Sequence, residues 1–204
     1  MIDARWWLAG LAALPALVAG VSLLRIDAER LRRLAVTSAG AMLLASLVVA
    51  ISPDLRAVSI RTTLLSWAPG GEAIIRVNTL SAALLPFAAG LWLLTVAVTP
   101  RAALDRAGLR RTALATLVTL ATFLTESPVI LLFLWIASVW MFLSALSSPA
   151  HHRQRRIVAV YLGFSSLMFG AGVTLISWPM TQGTTVEAAG ILLIAVAALV
   201  RKGI

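Results

Sequence analysis

The stretch VILLFLWIASVWMFLSAL, at residues 129–146, contains no charged residue. A helix needs about 20 predominantly apolar residues to cross the hydrocarbon core of a bilayer, and about 17 suffice at the lower limit. The charged residues nearest to this stretch are Glu126 on one side and Arg153 on the other. The stretch therefore predicts a transmembrane helix.

Six further apolar runs along the chain predict helices, and the two at 112–124 and 186–200 are shorter than this limit. The six runs occupy residues 6–24, 34–51, 80–98, 112–124, 157–176 and 186–200. The first is too long for the core of a secretory signal, and the short run at 112–124 predicts a helix that begins earlier. We expect an all-α, polytopic helical membrane protein with about seven transmembrane helices, or six as the alternative, in a single transmembrane domain over residues 1–204.

The composition supports this fold class and excludes several functions. Sixty per cent of the residues are hydrophobic and 12% are charged, whereas soluble domains have about a quarter charged. The net charge of +9 does not indicate nucleic-acid binding, because the arginines are clustered between apolar runs and form no patch or stripe. No cysteine is present, which excludes thiolate metal sites, cysteine-ligated iron–sulfur clusters and thiol nucleophiles. No nucleotide-binding or zinc-protease motif occurs, so no catalytic, cofactor-binding or metal site is predicted.

The basic residues predict an orientation. Thirteen of the 17 arginines and lysines follow the first, third, fifth and seventh runs, on one side of the membrane. Cytoplasmic loops carry an excess of basic residues, so we expect the N-terminus outside and the C-terminus in the cytoplasm, in a multi-pass protein of the inner (plasma) membrane. The thirteen are Arg25, Arg30, Arg32, Arg33, Arg101, Arg106, Arg110, Arg111, Arg153, Arg155, Arg156, Arg201 and Lys202. The other side carries Arg5, Arg56, Arg61 and Arg76.

The long outer loop, residues 52–79, predicts a small hairpin on the membrane surface. Residues 60–65 and 73–77 are β-prone, and APGG at residues 68–71 is a turn signal between them. Asn78 is then placed to cap the helix of the third run.

The acidic residues all lie outside the interior of the runs. Ionisable groups inside a bilayer are costly and usually mark proton or ion pathways. The chain therefore has no evident proton relay of its own, except for Arg201 and Lys202 at its C-terminal end. The acidic residues are Asp3, Asp27, Glu29, Asp54, Glu72, Asp105, Glu126 and Glu187.

Three segments carry a resemblance to a known family. WAPGGEAIIRVNTLSAALLPFAAGLWLL, at residues 67–94, resembles the approach to the third helix of antiporter-like subunits of respiratory complex I, Mrp-type cation/proton antiporters and membrane-bound hydrogenases. Trp67, Leu80 and Ser81 match that pattern, and Asn78 stands where aspartate is usual. RQRRIVAVYLGFSSLMFGAGVTLI, at 153–176, resembles the sixth helix of the family, and AAGILLIAVAALVRKGI, at 188–204, resembles the seventh.

The resemblance implies the fold more strongly than the chemistry. It covers nearly the whole chain but only the first half of the family's helices, which implies the front half of a subunit: a split gene, a truncated paralogue or a fragment. The family pairs a fifth-helix glutamate with a seventh-helix lysine. The glutamate would fall near Ala137, where no carboxylate is present, and the lysine at Arg201 or Lys202. An arginine could hold the charge without releasing a proton.

Four residues are candidates for a proton path, each with a simpler alternative. Lys202 and Arg201 could be pathway cations, or a positive end that complements the helix dipole. Glu126 could be a displaced form of the missing carboxylate, or an interfacial residue in a tight turn before Pro128. Ser166 could line a water path, or serve close helix packing with its small neighbours. Those neighbours are Gly163, Ser165, Gly170 and Gly172.

Other polar and aromatic residues have simple interpretations. His151 and His152 beside three arginines are typical of a solvated loop more than of a metal site. Ser81 and Thr95 are expected to form local backbone hydrogen bonds. Trp135 and Trp140 lie in the middle of a run, where packing within the bundle is the favoured role over a quinone contact.

The resemblance predicts a truncated or split antiporter-like subunit that takes part in proton or cation translocation coupled to a partner. The chain would be at most a non-redox membrane subunit of an NADH:quinone oxidoreductase-like or related complex. Its partners would be other membrane subunits, including a second half-subunit, and the lipid bilayer, with no nucleic acid. The alternative is a non-conducting scaffold subunit that has lost the fifth-helix glutamate. A free-standing small carrier is disfavoured, because buried ionisable groups and an internal repeat are not found in the sequence.

Overall fold

The structure is a computed structural model that describes residues 4–24, 26–52, 59–61, 73–100, 105–146, 152–177 and 185–202. These residues form seven α-helices and two short strands. The helices are α1 (Ala4–Val21), α2 (Ala28–Ile51), α3 (Thr79–Val98), α4 (Arg106–Leu124), α5 (Pro128–Ala145), α6 (His152–Ser177) and α7 (Thr185–Lys202). Each predicted run overlaps one of them, so the all-helical fold is confirmed. The helix α4 begins six residues before its run, as expected, whereas α1 ends at Val21, three residues before the end of its run.

Four helices are long and apolar enough to cross a membrane. They are Ala28–Ile51, Thr79–Val98, Pro128–Ala145 and Arg153–Ser177. The apolar part of α1, Trp6–Val21, is shorter. The chain thus has the composition of a membrane protein, while the number of spans and their orientation remain predictions.

Many arginines assigned to loops are helical instead. Arg30, Arg32 and Arg33 lie in the first turns of α2, and α4 and α6 also begin with arginine-rich turns. Cations near a helix N-terminus interact unfavourably with the helix dipole, so the dipole does not explain why these turns are helical. Polar turns extend a helix beyond its apolar segment, and the Glu29–Arg33 pair, 3.4 Å apart, supports that extension in α2.

The helices α1 to α4 form one compact unit. They pack in the cyclic order α1, α2, α3, α4 and back to α1, with a smaller diagonal contact between α2 and α4. Its core includes Leu31, Met42, Leu85 and Leu120, all almost fully buried. An arginine also joins two of these helices: the Nη2 of Arg32 donates to the carbonyl oxygens of Ala97 and Thr99 at 3.0 and 3.1 Å.

Helix starts in this unit follow the expected capping chemistry. The side chain of Asn78 accepts a hydrogen bond from the backbone N–H of Ser81, and the Ser81 hydroxyl accepts one from the N–H of Asn78, so Asn78 caps α3 as predicted. Asp105 caps α4 by accepting from the N–H of Gly108 at 2.7 Å. The strands β1 (Ser59–Arg61) and β2 (Ala73–Arg76) pair with each other, as the hairpin prediction requires. The predicted turn at 68–71 lies outside the described residues.

The helices α5 to α7 belong to a second compact unit. Within it α6 packs most extensively on α7, and α5 packs on α6. A Cβ added to Gly172 would lie 2.7 Å from the carbonyl oxygen of Gly190, so the two helices approach at a glycine pair. Buried Phe169, Val173 and Ala197 form the core of this unit.

Candidate functional site: an arginine held between α5 and α7

A guanidinium group of α7 contacts two neutral side chains of α5. The Nη2 of Arg201 donates a hydrogen bond to the Oγ of Ser138 at 2.7 Å. Its Cζ lies 4.4 Å from the ring centroid of Trp135, within the range of a cation–π interaction. Arg201 is only partly buried. Its contacts in the described part of the chain therefore provide a hydrogen-bond acceptor and an aromatic face, but no negative charge.

The hydroxyl of Ser138 is used in both directions. It accepts from Arg201 and donates to the backbone carbonyl oxygen of Trp135 at 2.7 Å. The donation to its own helix fixes the hydroxyl rotamer, because serine in a helix commonly bonds a carbonyl one turn back. The lone pair that faces Arg201 is thus already oriented.

The position of Ser138 places the Arg201 guanidinium beside α5, far from both ends of that helix. Ser138 follows the first residue of α5, Pro128, by ten positions and precedes the last, Ala145, by seven. At 1.5 Å per residue these separations are about 15 and 10 Å. A helical Cα–Cβ bond tilts toward the helix N-terminus, so Arg201, near the C-terminal end of α7, is directed back along α7. The guanidinium consequently lies beside the middle of the uncharged run at residues 129–146.

An aromatic pair supports the ring beneath the arginine. Trp135 and Phe169 stack with ring centroids 4.4 Å apart and an interplanar angle of 17°. Trp135 therefore packs within the chain, as expected. Its Nε1 is buried and has no hydrogen-bond partner in the part of the chain that the structure describes. Trp140 was expected to pack in the bundle but is 74% exposed. The helix α5 is poorly covered, and Val139 is its single buried residue.

Two contacts between α6 and α7 position Arg201. The buried hydroxyl of Ser165 donates to the backbone carbonyl oxygen of Ala197 at 2.9 Å, one turn before Arg201. The close approach of Gly172 to Gly190 fixes the same pair of helices nearer the start of α7. Because α5 also packs on α6, these contacts hold the Arg201 side chain at a defined height along α5.

The predicted site residues have different outcomes. Arg201 occupies the site described above, whereas the side chain of Lys202 lies outside the described residues. Glu126 is exposed and directly precedes Ser127, whose side chain caps α5. Its two interpretations both stay predictions. Ser166 bonds the carbonyl oxygen of Leu162 in its own helix, and this contact does not test a water path.

The small residues of α6 serve different roles. Gly172 packs against Gly190, and Gly170 is in ordinary contact with Leu132 of α5. A Cβ on Gly163 would meet nothing within 4 Å, so this glycine is not needed for packing among the described residues. His151 and the side chain of His152 lie outside the described residues.

Local hydrogen bonds account for the other hydroxyls singled out in the sequence. Thr95 donates to the carbonyl oxygen of Leu91, and Ser81 donates to that of Asn78, as predicted. The described residues contain no cluster of three or more histidine, aspartate or glutamate side chains that could hold a metal ion.

Ser138 was not among the residues that the sequence singled out. The position inferred for the family's glutamate was Ala137, and the contact to Arg201 is made by the next residue. A serine within an apolar run is a weak signal, since most such hydroxyls satisfy their own helix. A more specific signal is the spacing of Trp135 and Ser138, which are three residues apart and therefore lie on one face of the helix.

A groove in the first unit is a weaker candidate. It has a volume of about 190 Å³ and lies between α3 and α4. Its threonines donate to carbonyl oxygens of their own helices, and none of its lining residues is charged. The lining residues are Ala88, Leu91, Trp92, Thr95, Thr112, Ala115, Thr116 and Thr119.

No protein-family model, curated protein or solved structure matches this chain.

Proposed function

We propose that the chain is a subunit, or part of a subunit, of an antiporter-like membrane complex of the complex I or Mrp type, in which protons or cations are translocated in the inner (plasma) membrane. Within that complex the chain holds a fixed positive charge at the α5–α7 site and does not itself transfer protons there. The resemblance of three segments supports the family. The contact between Arg201 and Ser138 supports the fixed charge.

Arg201 and Ser138 cannot exchange a proton, unlike the pair in the resembled subunits. In the resembled subunits a carboxylate and a lysine meet between the fifth and seventh helices, and both can change protonation state. Here the corresponding contact joins an arginine and a serine. A guanidinium keeps its proton at any accessible pH, and a serine hydroxyl has no proton to give in the neutral range. The pair therefore stabilises an arrangement of helices but cannot relay a proton.

Proton or cation conduction by this chain is the second candidate. It depends on Lys202, which the resemblance permits as the seventh-helix lysine in place of Arg201. A lysine surrounded by an apolar environment can lose its proton, so it could serve in a relay where arginine cannot.

The first test is extraction of the tagged chain in mild detergent, with mass spectrometry of the proteins that accompany it. Recovery of other membrane-arm subunits supports the proposed complex, and a stable chain that comes out alone overturns it. The second test is proton flux in vesicles that contain the complex, with the wild type and Lys202→Ala compared at equal assembly. We expect flux to be unchanged. A loss of about tenfold or more, the scale typical of a lost proton-transfer group, would instead support conduction through this chain.

A further inference from the structure

Among the described residues of its own unit, Arg201 has no carboxylate close enough to balance the charge of its guanidinium. The carboxylates described in that unit are Glu126 and Glu187. Glu187 precedes Arg201 by 14 residues in the same helix, or about 21 Å along its axis. Glu126 precedes the first residue of α5, which is itself about 15 Å from Ser138. Neither can neutralise a charge at Ser138.

A charge at this depth is costly without a partner of opposite sign. Ionisable groups inside a bilayer pair with one another or face water-filled cavities. Arg201 is directed away from the end of its helix, where lipid headgroups would solvate it. The Trp135 ring and the Ser138 hydroxyl replace part of the lost hydration. They leave most of the five guanidinium N–H donors for another acceptor, since one hydrogen bond to a described residue is made.

We propose that a carboxylate from a membrane helix of a partner subunit pairs with Arg201 at the α5–α7 site. Arginine suits such a pairing, because its planar fork binds a carboxylate through two parallel hydrogen bonds. This inference rests on the proposed function, since it requires that the chain belongs to a complex. It assigns to Arg201 the role of a partner-recognition residue.

The depth of the guanidinium favours a protein carboxylate over a lipid phosphate. The site lies about 10 Å from the nearer end of α5, whereas phosphates lie in the headgroup layer beyond the hydrocarbon core. A phosphate would have to be drawn inward to reach it. A glutamate or aspartate on a neighbouring helix can be placed at any depth by its position in the sequence.

The partner is accessible to the site because α5 is poorly covered. Val139 is the single buried residue within α5, and large apolar side chains on its outer face are exposed. Arg201 itself remains partly accessible beside this helix. A partner helix can therefore approach α5 and present its carboxylate to the guanidinium without displacing α6.

A zero-length crosslink tests the proposal in native membranes. Arg201→Lys keeps the charge and introduces an amine. A hydrophobic carbodiimide condenses this amine with a carboxylate in contact with it to form an amide, and the carbodiimide takes up the released water to become a urea. We expect a new amide between position 201 and an aspartate or glutamate of a second membrane protein. The wild type, which keeps Lys202, gives the background. Leu199→Lys is the matched control, because Leu199 is 68% exposed at the same end of α7 but points to another side.

A charge-removal variant provides an independent measure. Arg201→Met keeps most of the side-chain volume, and we expect co-purification of that partner to fall by about tenfold or more, because its carboxylate loses its counter-charge. Reversing both charges, with Arg201→Glu in this chain and arginine at the crosslinked position of the partner, should restore it. Equal recovery with Arg201→Met would overturn the proposal.

The remaining outcomes separate the two proposals. An amide formed within this chain overturns the partner carboxylate while the proposed complex stands. The same conclusion follows if anionic phosphatidylglycerol, compared with neutral phosphatidylcholine, thermally stabilises the purified wild type but not Arg201→Met. A wild-type chain that retains no membrane partner overturns the proposed function itself, whatever the Arg201 variants do.

Discussion

Gly172 of α6 and Gly190 of α7 meet with no room for a side chain on either residue. A Cβ on Gly172 would lie 2.7 Å from the carbonyl oxygen of Gly190, and one on Gly190 would lie 3.0 Å from that of Gly172. These two carbonyl oxygens are backbone atoms, so they cannot move aside as a flexible side chain would. The Cγ1 of Ile194 would also lie 2.7 Å from a Cβ on Gly172, and the Cγ1 of Ile176 would lie 2.9 Å from one on Gly190. Small residues at helix crossings are the usual basis of close packing between membrane helices.

Gly172→Ala is therefore expected to destabilise the α6–α7 pair. Forcing a methyl group into a filled contact typically costs about 1–3 kcal/mol, although alanine favours the helix itself by up to about 1 kcal/mol. The measurement is the thermal midpoint of the purified chain in detergent. Gly163→Ala is the matched control in the same helix, because a Cβ there meets nothing within 4 Å, and it should be neutral or stabilising. Equal effects at the two positions would contradict the close contact.

Ser165→Ala is expected to weaken the same pair of helices by a smaller amount. The Ser165 hydroxyl is fully buried and donates to the carbonyl oxygen of Ala197 across the helix contact. Hydrogen bonds between membrane helices contribute about 0.6 kcal/mol on average. Ser166→Ala is the control, because Ser166 donates only within α6, to Leu162. The difference between the two thermal midpoints measures the interhelical hydrogen bond, and a larger loss for Ser166→Ala would argue against it.

Arg32→Met should destabilise the first unit more than Arg33→Met does. Arg32 bonds the carbonyl oxygens of Ala97 and Thr99 at the end of α3, where the helix leaves acceptors unsatisfied and the dipole favours a cation. A charged hydrogen bond of this kind contributes about 1–3 kcal/mol. Arg33 is the matched control, because its side chain is 77% exposed and its ion pair is with Glu29 of the same helix. Surface pairs contribute about 0–1 kcal/mol, so similar losses in urea or thermal unfolding would show that the α2–α3 contact is weak.

Local features of this chain could be predicted from the sequence, whereas contacts between helices could not. Apolar runs predicted all seven helices, because the length and uncharged character of a run act locally. The start of α4 at Arg106 and the helical Arg30 could only be approximated, since an arginine-rich turn is compatible with either loop or helix. The Arg201–Ser138 contact depends on how α5 and α7 are placed around α6, which hydropathy does not encode.

The absence of cysteine allows a clean test of orientation with single introduced thiols. If the N-terminus is outside, Arg106→Cys and Arg155→Cys, at the exposed starts of α4 and α6, should react with a membrane-impermeant maleimide only in inverted vesicles. Arg76→Cys, exposed in the predicted outer loop, should react only in intact cells. Leu167→Cys is the control for the bilayer itself: Leu167 is 74% exposed in α6, yet a thiol in hydrocarbon cannot form the reactive thiolate and should stay unlabelled on both sides. Labelling of Arg106→Cys from outside the cell would reverse the orientation, and rapid labelling of Leu167→Cys would contradict a bilayer around α6.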